Sequence, residues 1–442
     1  MNISDYVHGP WVMFSSENNI RQIPSIKDGQ VVATRKLLWA LKNQKELETV
    51  ERLGLHAAAQ TAYKHGGENI CDSLAKMVQA FPGTNNVPMF TGEGTFGNPI
   101  DKDPSANRYI SAKISDDFRL WFRKEDDPIL PLRIQRGSPI EPFWLAPVAP
   151  MCLVNGSFGI GTGYACNLYQ HNPKDVLSAV LSFLQEGEYS GKLVPWWKGW
   201  KGSITPDADN QNKFWVTGTF ERVGATQIVV KELPPSWNKA KYQKSVIVPM
   251  VDAKDSPLVD FQNDSSELEG WNITFTFKRG FLNKMTDEEI ITMLQLRTSI
   301  THVLSLWDTK DKIKVYDNVE QILEEWVLWR VAVYEQRRKF QISDLEERIK
   351  WELVKIKCIE EMISAGKAVP EDTIRGIVES AGYQNEAFTK IMNTPVRRLT
   401  VEGIQEGHKL VEKYKAELSE LKTITAEGIM EREVREILSK MN

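Results

Sequence analysis

One stretch constrains this chain more than any other: DNVEQILEEWVLWRVAVYEQRRKFQISDLEERIKWELVKIKCIEEMISAG, residues 317–366. It is a single helical pattern far longer than an ordinary globular helix. Leu345, Ile349, Leu353, Ile356 and Ile363 recur at threes and fours and mark a seam. Gly366 and Pro370 supply its stop. A helix of this length cannot bury a core alone, so it needs a companion. A second seam, Leu410, Tyr414, Leu418, Leu421 and Ile424, offers one. The pattern predicts an antiparallel coiled coil from residues 311–366 and 409–442, with residues 367–408 as a small tip that meets a partner.

The preceding residues have a different texture. Residues 1–20 read as an N-terminal arm, and 21–130 mix helical patterns with turns. TRKLLWALKN (34–43) places Leu37, Leu38 and Leu41 on one helical face, with Arg35, Lys36 and Lys42 near the other. NICDSLAKMVQAF (69–81) repeats the pattern. Residues 131–310 read as α/β. FWVTGTFERVGATQIVVKELP (214–234) and WNITFTFKRG (271–280) carry strand signals. KDVLSAVLSFLQEG (174–187) and TDEEIITMLQLRTSI (286–300) read as amphipathic helices. The sum is an α+β, multidomain chain.

Composition narrows the class. With 442 residues, 41% of them hydrophobic, the chain can build several cores. A net charge of -4 excludes a uniformly basic coat, so any nucleic-acid surface must be local. The 4 Cys (71, 152, 166 and 358) form no CxxC pair and the 6 His form no metal motif, which reads as reduced thiols, a cytosolic setting and no zinc site. FWLAPVAPMCLV (143–154) is too short to cross a membrane and reads as buried core.

Four short stretches invite chemistry. GSFGIGTG (156–163) has the flavour of a phosphate loop, but no Lys-Ser/Thr follows and the next residues, YACNLYQHNP, read as coil. It reads as a tight turn with Ile160 exposed at its tip. PDADN (206–210) and KEDDP (124–128) read as solvent-facing turns. AYKHGGEN (62–69) sets Tyr63, Lys64 and His65 before a helix start, which fits either an anion site or a plain glycine turn. In SANRYIS (105–111), Arg108 precedes Tyr109. A phenol with pKa near 10 is only about 0.1% ionised at pH 7. To attack phosphorus it needs a cation beside it, and the dipeptide alone reads as an ordinary exposed tyrosine.

The order of the pieces adds a resemblance. IPSIKDGQVVATRKLLWALK (23–42), AYKHGGENICDSLAKMVQAFPGTNN (62–86), TGEGTFGN (91–98), SANRYISAKI (105–114), PMCLVNGSFGIGTGYACN (150–167) and PWWKGWKGSI (195–204) follow one another as in the DNA-cleaving half of type IIA topoisomerases. The whole chain resembles that half, with wording closer to the eukaryotic branch than to gyrase. Standing without a fused ATPase, it is similar to the split-subunit topoisomerases of bacteriophages. The resemblance implies a winged-helix DNA-binding domain (21–130), an α/β tower (131–310) and a coiled coil whose 367–408 tip is a dimerising exit gate.

It also implies roles. Tyr109 would attack a DNA phosphate, with Arg108 and His65 at that phosphate. Arg35, Lys36, Lys27 and Lys64 would contact the DNA backbone, and Ile160 would wedge between base steps. Lys64 stands where gyrase has a His, Val31 where it has a Lys, and Gly66-Gly67 where others have one Gly. Neither an acidic metal module nor an ATP motif is recognisable. Mg²⁺ and ATP are therefore expected on a large partner subunit, and this chain on double-stranded DNA and on a second copy of itself. Because the sequence stops at Asn442 after the coiled-coil pattern, ATP-dependent relaxation and decatenation are expected, not negative supercoiling.

Overall fold

The computed structural model describes residues 2–267, 270–364, 370–393 and 400–441. The predicted stop at Gly366 and parts of the 367–408 tip lie outside them. Two units divide the chain: residues 1–330 with 433–442, and residues 331–432.

In the first unit, two short helical turns (Ile3–Tyr6 and Val7–Trp11) lead into helix α1, Val12–Gln22. Helices α2 (Val32–Leu41), α3 (Val50–Gln60) and α4 (Gly67–Val78) follow, with Leu37, Leu38, Leu53, Ile70 and Leu74 buried between them. Against them lies a three-stranded sheet in the order β1-β3-β2: β1 (Glu48–Thr49), β2 (Phe90–Glu93) and β3 (Ser111–Ile114). Strands β4 (Leu132–Gln135) and β5 (Ser138–Pro142) pair as a hairpin. Leu145–Val154 then runs buried, as the apolar stretch predicts.

Next come β6 (Ser157–Ile160), β7 (Ala165–Leu168) and helix α5 (Pro173–Glu186). The Asn172 side chain caps α5, Pro173 opens it, and Gly187, left-handed at φ 80, closes it. Strands β8 (Ser203–Pro206), β9 (Lys213–Thr217), β10 (Thr219–Val223) and β11 (Gln227–Glu232) precede β12 (Leu258–Asn263), β13 (Ile273–Phe277) and helix α6 (Asp287–Met293). Then come β14 (Arg297–Thr301), β15 (Val303–Trp307) and β16 (Ile313–Val315). They assemble three sheets: β10-β11-β13-β12, β14-β9-β8 and β16-β15-β7-β6. Alternation along β11 and β13 turns Ile228, Val230, Ile273, Phe275 and Phe277 onto one core with Trp271, Ile290 and Leu294.

Helix α7, Val319–Ser364, is 46 residues long. Its first three turns belong to the first unit, where Trp326 and Arg330 are fully buried. In the second unit, α7 pairs with α10 (Val401–Thr423), and α8 (Glu371–Ser380) and α9 (Asn385–Met392) lie between them in the chain. Arg338 Nε donates to Leu421 O at 2.8 Å, while Ile356 faces Gly407, so the pair runs antiparallel. A Cβ on Gly407 would lie 2.9 Å from Ile356, which is why a glycine stands at that crossing. Val354, Cys358, Ile374, Val378, Phe388 and Ile391 form the local core. Helix α11, Ala426–Lys440, returns the chain to the first unit.

Five local expectations need correction. The helix expected over 286–300 ends at Met293, because Thr298, Ile300 and Thr301 pair with β9. YACNLYQHNP is not coil: Ala165–Leu168 is β7, paired on both sides by β6 and β15. KEDDP is not a free turn, since Asp126 is buried and its carboxylate meets Arg330 Nη2 at 2.7 Å. The seam is not fixed along α7: Leu353 and Ile363 are exposed, while Val354 and Cys358 face the core. A straight helix drifts against a strict seven-residue repeat, so the buried stripe moves around it. The second seam breaks at Ile424, whose extended backbone separates α10 from α11. PDADN is the turn expected, with Asp207 Oδ1 accepting from the Asp209 and Asn210 amides.

Candidate DNA-cleavage site

The tyrosine loop is pinned by its backbone and left free at its side chain. Ile110 O accepts from Val50 N at 2.9 Å and Asn107 O from Glu51 N at 3.2 Å, both at the start of α3. Asn107 Nδ2 donates to Asp72 Oδ1 on α4 at 2.7 Å, and Ile110 is buried. A turn closed by Tyr109 N to Ala106 O, 2.8 Å, then turns Tyr109 outward with 73% of its surface exposed. The Arg108 guanidinium carbon sits 5.0 Å from the centre of the Tyr109 ring. This fixed cation faces an exposed phenol, an arrangement suited to a phosphate that approaches both.

His65 belongs to a second cluster. Its Nε2 lies 3.3 Å from Arg21 Nη1 on α1, and its ring meets Tyr63 edge-on at 5.6 Å. A guanidinium only donates, so Nε2 accepts in this contact, which places the ring proton on Nδ1, and no acceptor engages Nδ1 among the described residues. Burial raises the Tyr63 phenol above the ordinary tyrosine value, against the opposing charge of Arg21. Lys64 and His65 are exposed beside the bare N-terminus of α4, whose cap, Gly66, offers no side chain. Among the described residues no hydrogen bond or ion pair joins Tyr109 to Arg21 or His65. The chain therefore presents two half-built cationic clusters.

Ile160 ends β6, at the mouth of the β6–β7 hairpin, and is 65% exposed. Phe158 shares its face and is 67% exposed. The opposite face is glycine, for a physical reason. A Cβ on Gly159 would lie 2.0 Å from Gln22 O, and one on Gly161 2.2 Å from Asn19 Oδ1. The glycines of GSFGIGTG thus let the hairpin lie directly on α1 while an apolar edge points outward.

The three cations expected on DNA upstream are placed otherwise. Arg35 is buried, and its guanidinium forks onto Asp28, with Nη2 3.0 Å from Oδ1, and also donates to Gln30 O. Lys36 is buried against Glu141 Oε2 at 2.7 Å and the Thr61 carbonyl. Burial pulls its ammonium below the usual lysine value, against the hydrogen bond it donates to Glu141. Lys27 is 4% exposed and pairs with Asp311 at 2.7 Å. All three hold α2 and its flanks together, and none presents its charge at the surface. Sequence reasoning missed Arg21, Asn19 and Phe158. IRQ (20–22) directly precedes the recognised IPS motif, and an Arg there was a usable signal.

Among the described residues no three His, Cys, Asp or Glu side chains converge to hold a metal ion.

The fold matches the crystal structure of the Plasmodium falciparum topoisomerase II DNA-binding, cleavage and re-ligation domain. The TM-score is 0.91 at 25% identity, over 99% of this chain and 64% of that one. Fold, tyrosine loop and apolar hairpin together define the class: a type IIA topoisomerase DNA-cleavage subunit. The chain belongs to the DNA gyrase/topoisomerase IV A-subunit family, whose model matches residues 21–439. It is 29% identical to the mitochondrial DNA topoisomerase 2 of Dictyostelium discoideum over 93% of this chain and 33% of that protein. It is 31% identical to DNA topoisomerase 2 of Invertebrate iridescent virus 6 over 79% of this chain and 30% of that one. The chain thus spans a third or less of these relatives' length. Among the described residues no helix is long and apolar enough to cross a membrane.

Proposed function

We propose that this chain is the DNA-cleaving component of an ATP-dependent type II topoisomerase. Two copies act on one duplex, each offering Tyr109 to one strand. The phenolate oxygen attacks a backbone phosphorus, the P–O3′ bond breaks, and the 3′ oxygen leaves as a hydroxyl after taking up a proton. The product is a 5′-phosphotyrosyl diester. It keeps a phosphodiester bond in place of the broken one, so the reverse attack by the 3′ hydroxyl reseals the strand after a second duplex has passed.

Arg108 offsets charge on the phenolate and on the phosphorane, and His65, oriented by Arg21, donates from Nδ1 at the same phosphate. Ile160 opens a base step and bends the duplex. Mg²⁺ and ATP come with a partner component, and Mg²⁺ supplies charge stabilisation at the phosphate when bound. With relatives named DNA topoisomerase 2, net relaxation and decatenation are the outcomes proposed.

The observation that carries this reading is the exposed Tyr109 under the Arg108 guanidinium, on a loop whose backbone is tied to α3 and whose Asn107 side chain is tied to α4. The test uses the chain with its partner component, Mg²⁺ and duplex DNA, stopped with detergent. Protein linked to 5′ ends is expected and is lost in Tyr109→Phe. An undiminished adduct in that variant overturns the assignment.

A further inference from the structure

Helix α1 touches the wedge hairpin with one side and the cleavage-site histidine with another. Asn19, buried to 8% exposure, grips a single residue at the hairpin turn. Its Oδ1 accepts from Thr162 N at 2.7 Å and its Nδ2 donates to Thr162 O at 3.1 Å. Asn18 Oδ1 accepts from the Thr162 hydroxyl at 3.2 Å. The Asn19 carbonyl in turn accepts from Trp307 Nε1 of β15 at 3.2 Å, which ties the helix to the sheet that contains the hairpin. Gly159 and Gly161 let the hairpin lie against the helix where any Cβ would clash.

Two residues further on, Arg21 reaches His65 at 3.3 Å. Residues two apart on a helix point about 200° away from each other. The short span from Asn19 to Arg21 is thus a strut between the apolar wedge and the His65 cluster. A two-way bond to one residue's N–H and C=O fixes register as well as distance, because a slip by one residue would cost both hydrogen bonds in a part-buried setting.

We propose that Asn19 is a positioning residue that locks the Ile160 hairpin to the Arg21–His65 pair, so that wedging the DNA and ordering the groups at the phosphate are one event. This rests on the cleavage reading above. Asn19 touches no DNA in this scheme and acts through Arg21.

The test reads two signals from one sample of the complex with Mg²⁺ and an end-labelled duplex: bending by energy transfer, and adduct by detergent trapping. Ile160→Ala is expected to lower both. Asn19→Ala is expected to keep most of the bend, because the β6–β7 ladder is intact, yet lower cleavage about 10- to 100-fold through misplacement of His65. Asn19→Asp, which keeps the acceptor and loses the donor, should fall between and carries the test if the alanine variant melts early. The double variant Asn19→Ala/Arg21→Ala should cleave no more slowly than Arg21→Ala. Unchanged cleavage, bending and cleavage lost in parallel, or multiplied defects in the double variant would overturn the coupling. A Tyr109→Phe adduct in the same assay would instead overturn the cleavage reading.

Discussion

Arg35 with Lys36 on α2, and Arg108 with Tyr109 on the loop before β3, are two arginine-containing dipeptides in the same unit, and they have opposite fates. The first pair faces inward onto Asp28 and Glu141. The second has its backbone bonded and its side chains outward. A cation's role follows from whether the fold brings it a carboxylate. A buried guanidinium already shared with Asp28 cannot also grip phosphate, whereas one stacked on an exposed ring can.

The largest expected effect breaks the comparison on its inner side. Arg35→Ala leaves the fully buried Asp28 carboxylate with the Leu145 and Gln30 amides as its remaining partners among the described residues. Removing one partner of a buried pair costs about 3–5 kcal/mol. Chemical denaturation should show that loss, and an Arg35→Ala chain of parental stability but weaker DNA binding would return Arg35 to the surface role. On the outer side, Arg108→Ala should lower cleavage about 100- to 1,000-fold, with melting unchanged. A fall in melting temperature alongside would make Arg108 a structural residue like Arg35.

A third contrast is between buried and exposed histidines. His171 and His302 stack with ring centres 5.5 Å apart. Burial pulls His171 down to about 4, and burial with the neighbouring His171 pulls His302 down to about 3. Both folded values lie below the unfolded one, so the unfolded chain binds more protons. Their stabilisation is fully present above about pH 6.5 and is lost as pH falls through the folded values. By pH 5.5 the loss should be roughly 1–3 kcal/mol for the pair. His302→Gln should flatten melting temperature against pH between 7 and 5.5, and an unflattened profile would remove the pair from the acid response.

What the sequence made legible follows from range. Alternation announced β9, β11 and β13, and the amphipathic pattern of residues 174–187 announced α5, because those signals are local. The glycine stretch announced close backbone approach, but not that α1 supplies the other backbone. Asp126 was misread as part of a free turn, and the carboxylate partners of Arg35 and Lys36 went unannounced, because such partners are set by the tertiary fold: Glu141 lies 105 residues from Lys36, and Arg330 lies 204 from Asp126. A charge pattern along the chain shows a cation and cannot show which carboxylate folding will bring to it.

The smallest effect sharpens the comparison most cleanly, because it separates surface cations from buried ones without touching the chemistry. Lys64 is exposed, beside the open N-terminus of α4, and no ion pair engages it among the described residues. If it meets a phosphate, binding releases about one counterion at that point, and Lys64→Ala should flatten the slope of log affinity against log salt by about 0.9. Affinity should fall only a few-fold, and uniformly across DNA sequences. Lys36→Ala should leave the slope unchanged, since its ammonium is already neutralised by Glu141 before DNA arrives. Equal slopes for Lys64→Ala and the parent would leave the α4 N-terminus outside the DNA path. A flattened slope in Lys36→Ala would mean that DNA binding draws a buried lysine out of its ion pair.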